Sequence, residues 1–351
     1  ISYLPICHIF ERAASYYYQY LGYQVYFAES IELLGDNIRE IKPNFLAVVP
    51  RLLEKIFDKI VAKGSTLSGI KKTLFFWAIA LGEAYEPYGK NGKLYAFKLK
   101  IARKLIFSKW QEALGGNLEF MLSGSAPMQD RLIRIFLAAG IPIFEGYGMT
   151  ESSPAITVND LRNKGLKIGT VGKPLEGIEV KIASDGEVLV KGSIVMLGYY
   201  KNEEMTQKTI VNGYLHTGDI GEIDEEGFLK ITDRKKEMFK TSGGKYIAPA
   251  VLESELKQSR FIEQVMIIGE SEKMPAALIQ VNFDFAKEWA VRKKLPVDSI
   301  ITHERFINRI QKEIDFYNQR FGKWEQIKKF EITPDEWSIE EGLLTPTMKM
   351  K

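Results

Sequence analysis

Three glycine-rich segments carry side chains suited to a phosphorylated ligand. They are Ser123-Gly124-Ser125-Ala126-Pro127, Glu145-Gly146-Tyr147-Gly148-Met149-Thr150-Glu151 and Lys240-Thr241-Ser242-Gly243-Gly244-Lys245-Tyr246. Glycine lets a backbone approach a nucleotide closely. Tyr147 sits between two glycines with little beside it, a platform on which a base can stack. The Thr150 hydroxyl can reach a phosphate oxygen, and the Glu151 carboxylate can hold Mg²⁺ directly or through water. Thr217-Gly218-Asp219 adds a carboxylate able to accept hydrogen bonds from both hydroxyls of a ribose. Taken singly, each glycine segment is more readily a plain turn, and Asp219 is as readily a turn cap. It is the combination that points to a nucleotide.

Strands must place these segments, because loops at the carboxyl ends of strands are the usual ligand positions in α/β sheets. Ala47-Val48-Val49-Pro50 reads as a buried strand ended by proline, with a helix from Arg51. Leu118–Leu122 reads as a strand before the Ser123–Pro127 loop. A helix from Gln129 to Ala139 follows, with Leu132, Ile135, Phe136 and Ala139 on one face. Ile141–Phe144 is the next strand, which leaves Glu145–Glu151 as the loop after it. Residues 178–232 read as antiparallel β, with alternation over Ile178–Ile182 and Glu187–Lys191 about an Asp185-Gly186 turn. A polar break falls at Thr232-Asp233-Arg234-Lys235-Lys236. Beyond it, strands at Val265–Ile268 and Ala277–Val281 precede a helix with Ile307, Ile310, Ile314, Tyr317 and Phe321 on its apolar face. The expected fold class is α/β: part of a large N-terminal α/β domain with an antiparallel β subdomain over 1–232, plus a small α+β C-terminal domain over 233–351.

Composition narrows the classes. The chain has 351 residues, 45% hydrophobic and 26% charged, with a formal net charge of +3. Such a length suits two or more domains, and so small a charge excess lacks the dense basic footprint of a nucleic-acid binder. Cys7 is the only cysteine, so an intramolecular disulfide is impossible and a cysteine zinc site is disfavoured, as in a reducing cytosol. The longest apolar run, Leu74–Leu81, is far short of the roughly 20 residues a bilayer span needs. With Ile1 opening on strand-like sequence and no initiator Met, the chain reads as starting inside a larger protein. Residues 63–112 stand apart. They hold ten Lys/Arg against three acids, Glu83, Glu86 and Glu112, with aromatics interleaved. One reading is a pair of amphipathic helices with solvated lysines. The other is a surface that meets anionic lipid or an acyl-CoA.

Several motifs together resemble the adenylate-forming superfamily of acyl-CoA synthetases, luciferases and peptide-synthetase adenylation domains. Glu145–Pro154 is similar to its central motif, and Gly213-Tyr214-Leu215-His216-Thr217-Gly218-Asp219-Ile220-Gly221 to its ribose motif. Asp233–Lys240 followed by Gly243–Pro249 resembles its hinge and first C-domain loop. Thr345-Pro346-Thr347-Met348-Lys349-Met350-Lys351 resembles its last motif, and Leu4–Arg12 the motif that opens the acyl-pocket half. These run in family order from residue 4 to residue 351. His8-Ile9-Phe10-Glu11-Arg12, the 63–112 insertion and the Thr-Pro-Thr-Met-Lys ending look most like the long-chain fatty-acid branch. The family's phosphate loop, which normally precedes this segment, is absent, so the chain is expected to be a fragment that is inactive by itself.

The resemblance implies an ATP-dependent ligase that makes an acyl-adenylate from a long-chain fatty acid and passes the acyl group to coenzyme A. It implies catalytic roles for Lys349, Glu151 and Thr150, with Glu151 at Mg²⁺. Gly124, Ser125, Ala126, Glu145, Gly146, Tyr147, Gly148 and Ile231 would meet the nucleotide, and Asp219 and Arg234 its ribose. Gly243, Gly244 and Tyr246 would serve the thioester step after rotation about a hinge at Asp233–Lys236, with Lys240 a weaker match. His8 would line the acyl or pantetheine channel, or merely cap a helix. The implied partners are fatty acid, ATP and coenzyme A, with no nucleic acid. The expected setting is cytoplasmic, with room for peripheral contact with the inner face of an anionic membrane and for a homodimer. The competing readings are a ligase for aryl or short-chain acids and a non-catalytic adenylate-binding homologue.

Overall fold

Strand-forming runs in the first half of the chain assemble a mixed sheet in the order β1-β2-β3-β4-β5. In this computed structural model, which describes residues 1–338 and 342–343, the strands are β1 Phe45–Val48, β2 Phe120–Ser123, β3 Ile143–Gly148, β4 Ala155–Val158 and β5 Lys173–Pro174. Lys349 and the rest of the Thr345–Lys351 motif lie outside the described residues. β1, β2 and β3 are parallel, with Val48 beside Ser123 and Ser123 beside Glu145. Parallel strands covered on both faces demand apolar side chains throughout. Leu46, Val48, Met121 and Ile143 are accordingly fully buried.

Helices cover this sheet: α1 Ile9–Tyr20, α2 Leu34–Ile41, α3 Pro50–Ser65, α4 Gly69–Glu83, α5 Gly92–Ala102, α6 Ser108–Ala113 and α7 Asp130–Ala138. Pro50 occupies the first turn of α3, where its missing N–H costs nothing. Gly64 is a packing requirement, since a Cβ there would sit 2.0 Å from the Phe75 ring. The 63–112 block is therefore helical. α5 runs through a π turn, Arg103–Phe107, into α6. Arg103 reaches across to α7: its Nε donates to Ala138 O at 2.7 Å and its Nη2 to Leu137 O at 3.3 Å, satisfying the open carbonyl end of α7. Arg103→Gln is expected to cost about 1–2 kcal/mol and to lower the thermal midpoint by about 2–6 °C. An unchanged melt would show that this tie contributes nothing.

An antiparallel sheet follows, in the order β10-β9-β7-β6 with β8 on β9. Its strands are β6 Glu179–Ile182, β7 Glu187–Lys191, β8 Ile210–Val211, β9 Tyr214–Ile223 and β10 Leu229–Arg234, with α8 Glu203–Thr209 before β8. Alternation along β7 and β9 buries Val188, Val190 and Leu215 in a small core of their own. The chain divides into two compact units, Ile1–Thr217 with Glu222–Ile231, and Gly218–Gly221 with the chain from Thr232.

The second unit carries a short hairpin, β11 Phe239–Lys240 with β12 Tyr246–Ile247, and a sheet of β13 Ile262–Ile268, β14 Ala276–Val281 and β15 Lys329–Ile332. Helices α9 Pro249–Leu256, α10 Phe283–Lys293 and α11 Glu304–Asn318 pack on a core drawn only from residues of this unit.

Three details differ from the sequence reading. β3 does not stop at Phe144 but continues to Gly148, because β4 pairs with Gly146, Tyr147 and Gly148 and satisfies their backbone. The expected Glu145–Gly148 loop is thus strand. The polar Thr232–Arg234 stretch likewise belongs to β10 rather than to an open linker. On α11 the buried line is Phe306, Ile310, Ile314 and Tyr317, while Ile307 is 38% exposed. Phe306 displaced Ile307 because both fit a helical period and only packing decides between them.

Candidate active site

In the first unit, the turn before α1, the loop after β2 and the end of β3 converge. His8 caps α1, its Nδ1 accepting from Phe10 N–H at 3.3 Å. The Phe10 ring comes to the next loop: a Cβ on Gly124 would lie 3.6 Å from it and 3.8 Å from Gly146 O. Gly124 therefore stands within van der Waals reach of the Phe10 ring and of the neighbouring strand. Ser125 has φ 73°, a left-handed residue in the turn that follows.

Glu145 fixes that loop from the neighbouring strand. It is buried, and its carboxyl accepts from Met128 N–H at 3.3 Å. Burial pushes its pKa up from 4.5 to about 8, nearby Asp130 adds to the rise, and the Met128 N–H opposes it. Glu145 is then largely neutral near pH 7. Its position suits support of the 123–128 loop more than direct contact with an anionic ligand.

Tyr147 and Ile231 are partly buried against the antiparallel core, and Tyr147 lies in register with Thr157. Gly148 is glycine for a local reason, because a Cβ there would fall 1.7 Å from Pro154 O. Thr150 is exposed and opens a short 3₁₀ turn, Thr150–Ser152. Ser152 closes this turn, donating to Pro154 O at 2.6 Å and accepting from Met149 N–H at 3.0 Å. Glu151 follows Thr150 and is half-buried. Tyr199 OH donates to its Oε1 at 2.8 Å, and Met196 N–H donates to its backbone carbonyl at 2.8 Å. Tyr199 is a site residue that the sequence reading missed. It lies 48 positions from Glu151, and a Gly-Tyr-Tyr sequence in a loop carries no signal of that partner.

No group of three or more His, Cys, Asp or Glu among the described residues is placed to hold a metal alone. Mg²⁺ does not require one, since it is commonly held by one or two carboxylates together with phosphate oxygens and water. A half-buried Glu151 oriented through one oxygen fits that donor set.

In the second unit Asp219 is buried, and Arg234 Nε donates to its Oδ1 at 3.2 Å. Arg234 also reaches Glu237 at 3.6 Å. Next to it, Asp233 Oδ1 accepts from Arg234 N–H at 2.6 Å, while its buried Oδ2 has no hydrogen-bond partner among the described residues. Burial raises the Asp233 pKa from 3.8 to about 6, with Glu237 and Asp219 adding to it. Lys236 is exposed. Gly243 and Gly244 form the tip of the β11–β12 hairpin, and Gly244 has φ 75°. Tyr246 is 57% exposed, with Lys240 Nζ 4.6 Å over its ring.

Residues 1–200 match the family model of AMP-binding enzymes, and residues 237–340 match that of the AMP-binding enzyme C-terminal domain. Among curated proteins, the long-chain-fatty-acid–CoA ligase FadD15 of Mycobacterium bovis is 35% identical over 361 residues, covering 100% of this chain and 59% of its own length. Long chain acyl-CoA synthetase 4 of Arabidopsis thaliana is 30% identical over 372 residues, covering 100% of this chain and 55% of its own. The chain thus spans little more than half the length of these relatives. Among solved structures, the adenylation domain of a carboxylate reductase from Mycobacterium chelonae has a TM-score of 0.72 at 21% identity, over 99% of this chain and 50% of that one. O-succinylbenzoate coenzyme A synthetase from Bacillus subtilis, in complex with ATP and magnesium ion, has a TM-score of 0.65 at 21% identity, over 100% of this chain and 59% of that one.

Proposed function

The chain belongs to the AMP-binding enzyme family, and from that premise we propose that the protein activates a long-chain fatty acid with ATP and transfers the acyl group to coenzyme A. The observation that carries this reading is the 30–35% identity, over the whole chain, to relatives named for long-chain substrates. The chain carries Glu151, Asp219 and Arg234, the side chains that this chemistry would use.

A carboxylate is a poor acyl donor because its leaving group would be oxide. In the first step a carboxylate oxygen attacks the α-phosphorus of ATP, the bond to the β-phosphate bridge breaks, and pyrophosphate leaves. In the second step the coenzyme A thiolate attacks the acyl carbonyl and AMP leaves. Gly124, Ser125, Ala126 and Tyr147 supply the surface for adenine. Thr150 donates to phosphate, and Asp219, oriented by Arg234, accepts from the ribose hydroxyls. Mg²⁺ supplies positive charge at the phosphates when bound, with Glu151 as its protein ligand and Tyr199 orienting that carboxylate. Gly243, Gly244 and Tyr246 take part in the thioester step, reached by rotation about Asp233–Lys236.

The test is pyrophosphate release by the whole protein with palmitate, butyrate and benzoate side by side. Palmitate should exceed the other two by at least tenfold in kcat/KM, because each buried methylene adds about 0.8 kcal/mol. Preference for butyrate or benzoate would make it a short-chain or aryl-acid ligase. No release with any acid would support the non-catalytic alternative.

A further inference from the structure

We propose that α5, with the π turn that extends it, is a membrane-docking surface that takes a bilayer containing anionic lipid. This helix is apolar on two faces. Leu99, Ala102 and Phe107 are buried in the core of the first unit, beside Trp110 of α6. On the other side Leu94 is 70% exposed, Phe97 63%, Ile101 37% and Leu105 46%. Those four are spaced by three, four and four residues, so they form one stripe along the helix. A globular helix normally shows water a polar face, and an apolar stripe left in water marks a surface with a partner.

The charges identify the partner. Between Pro87 and Gln111 there are seven Lys/Arg and not one Asp or Glu. Arg103 is engaged by the carbonyl end of α7. Lys93, Lys98, Lys100 and Lys104 are exposed, and among the described residues none of them forms an ion pair. At about 100° per residue, Lys98 flanks the stripe on one side and Lys93, Lys100 and Lys104 on the other. Lysines bordering an apolar stripe can extend their ammonium groups to lipid phosphates while the stripe enters the acyl boundary. A protein partner matched to this face would need acids on both margins of an apolar groove, whereas an anionic bilayer offers both features without further fitting. No helix among the described residues is long and apolar enough to cross a membrane, so contact through this helix is peripheral.

The surface is independent of the proposed reaction, and its test reads binding alone. The whole protein is sedimented with phosphatidylcholine vesicles and with vesicles of phosphatidylglycerol and phosphatidylcholine, each at low and high salt. Two variants accompany it: one with Lys93, Lys98, Lys100 and Lys104 as Gln, and one with Leu94, Phe97 and Ile101 as Gln. All seven positions are exposed, and melting curves confirm that both variants fold. The parent is expected to bind the anionic vesicles and to weaken as salt rises. The lysine variant should lose on the order of 10²-fold in binding, and the stripe variant should lose binding at both salt concentrations. Equal sedimentation with both vesicle types, or variants that bind like the parent, would overturn the proposal. So would concentration-dependent self-association that the stripe variant abolishes in the absence of vesicle binding.

Discussion

Glu145→Gln should melt above the parent at pH 8, by roughly 5–10 °C, with the gap mostly closed at pH 5. The carboxyl is buried, and its pKa in the folded chain is raised from 4.5 to about 8. In the unfolded chain it ionises near the ordinary value. Between these two values the unfolded state has lost its proton while the folded state keeps it. Stability therefore falls as pH rises from about 4.5 to about 8, and the loss is complete above that. Glutamine stays neutral at every pH, and its Oε1 can accept the same Met128 N–H. It removes the slope without removing the hydrogen bond, so the advantage at pH 8 should be on the order of 3 kcal/mol. Calorimetry at pH 5, 6.5 and 8 reads it directly. Parallel pH profiles for parent and variant would show that Glu145 ionises freely in the folded protein.

Much of the frame is legible in the sequence. β1 was marked by Ala47-Val48-Val49 stopping at Pro50, because an apolar run ended by proline has few alternatives. α7 was marked by Leu132, Ile135 and Phe136 recurring at helical spacing. β13 and β14 were marked by continuous apolar runs. What the sequence hid was decided by partners distant along the chain. Glu145–Gly148 looked like a loop because two glycines weaken any strand signal. Pairing with β4 made it strand, and the approach of Pro154 O explains Gly148. Glu145 looked like one more motif residue, but its burial and its bond to Met128 make it a prop for the loop before α7. Tyr199 gave no warning of its bond to Glu151. His8 caps α1 through its Nδ1. In the 63–112 block the charge count suggested a surface but not its direction. Burial of Leu99 and Ala102, and the bond from Arg103 to α7, separate the face that packs from the face that does not.

Lys349→Ala in the whole protein should slow acyl-adenylate formation by about 10²–10³-fold while sparing thioester formation from supplied acyl-AMP. The position rests on the Thr345–Lys351 motif, and the expectation on charge. Attack of a carboxylate on the α-phosphorus brings two anions together, and the pentavalent transition state gathers their charge on a few oxygens. A cation placed there stabilises the transition state more than the separated reactants, and that difference accelerates the step. Removing one such contact costs on the order of 3–4 kcal/mol, which corresponds to the stated loss in rate. The second step starts from acyl-AMP, with the acyl–phosphate bond already made. Its charge develops at the acyl carbonyl, so a lysine serving the α-phosphate has no comparable part in it. Lys349→Arg keeps the charge on a longer, planar head group and should recover part of the first step. Pyrophosphate release reads the first half-reaction, and consumption of synthetic palmitoyl-AMP with coenzyme A reads the second. Equal losses in both would mean that Lys349 supports the fold or both reaction geometries. No loss in either would assign the adenylating charge to another cation.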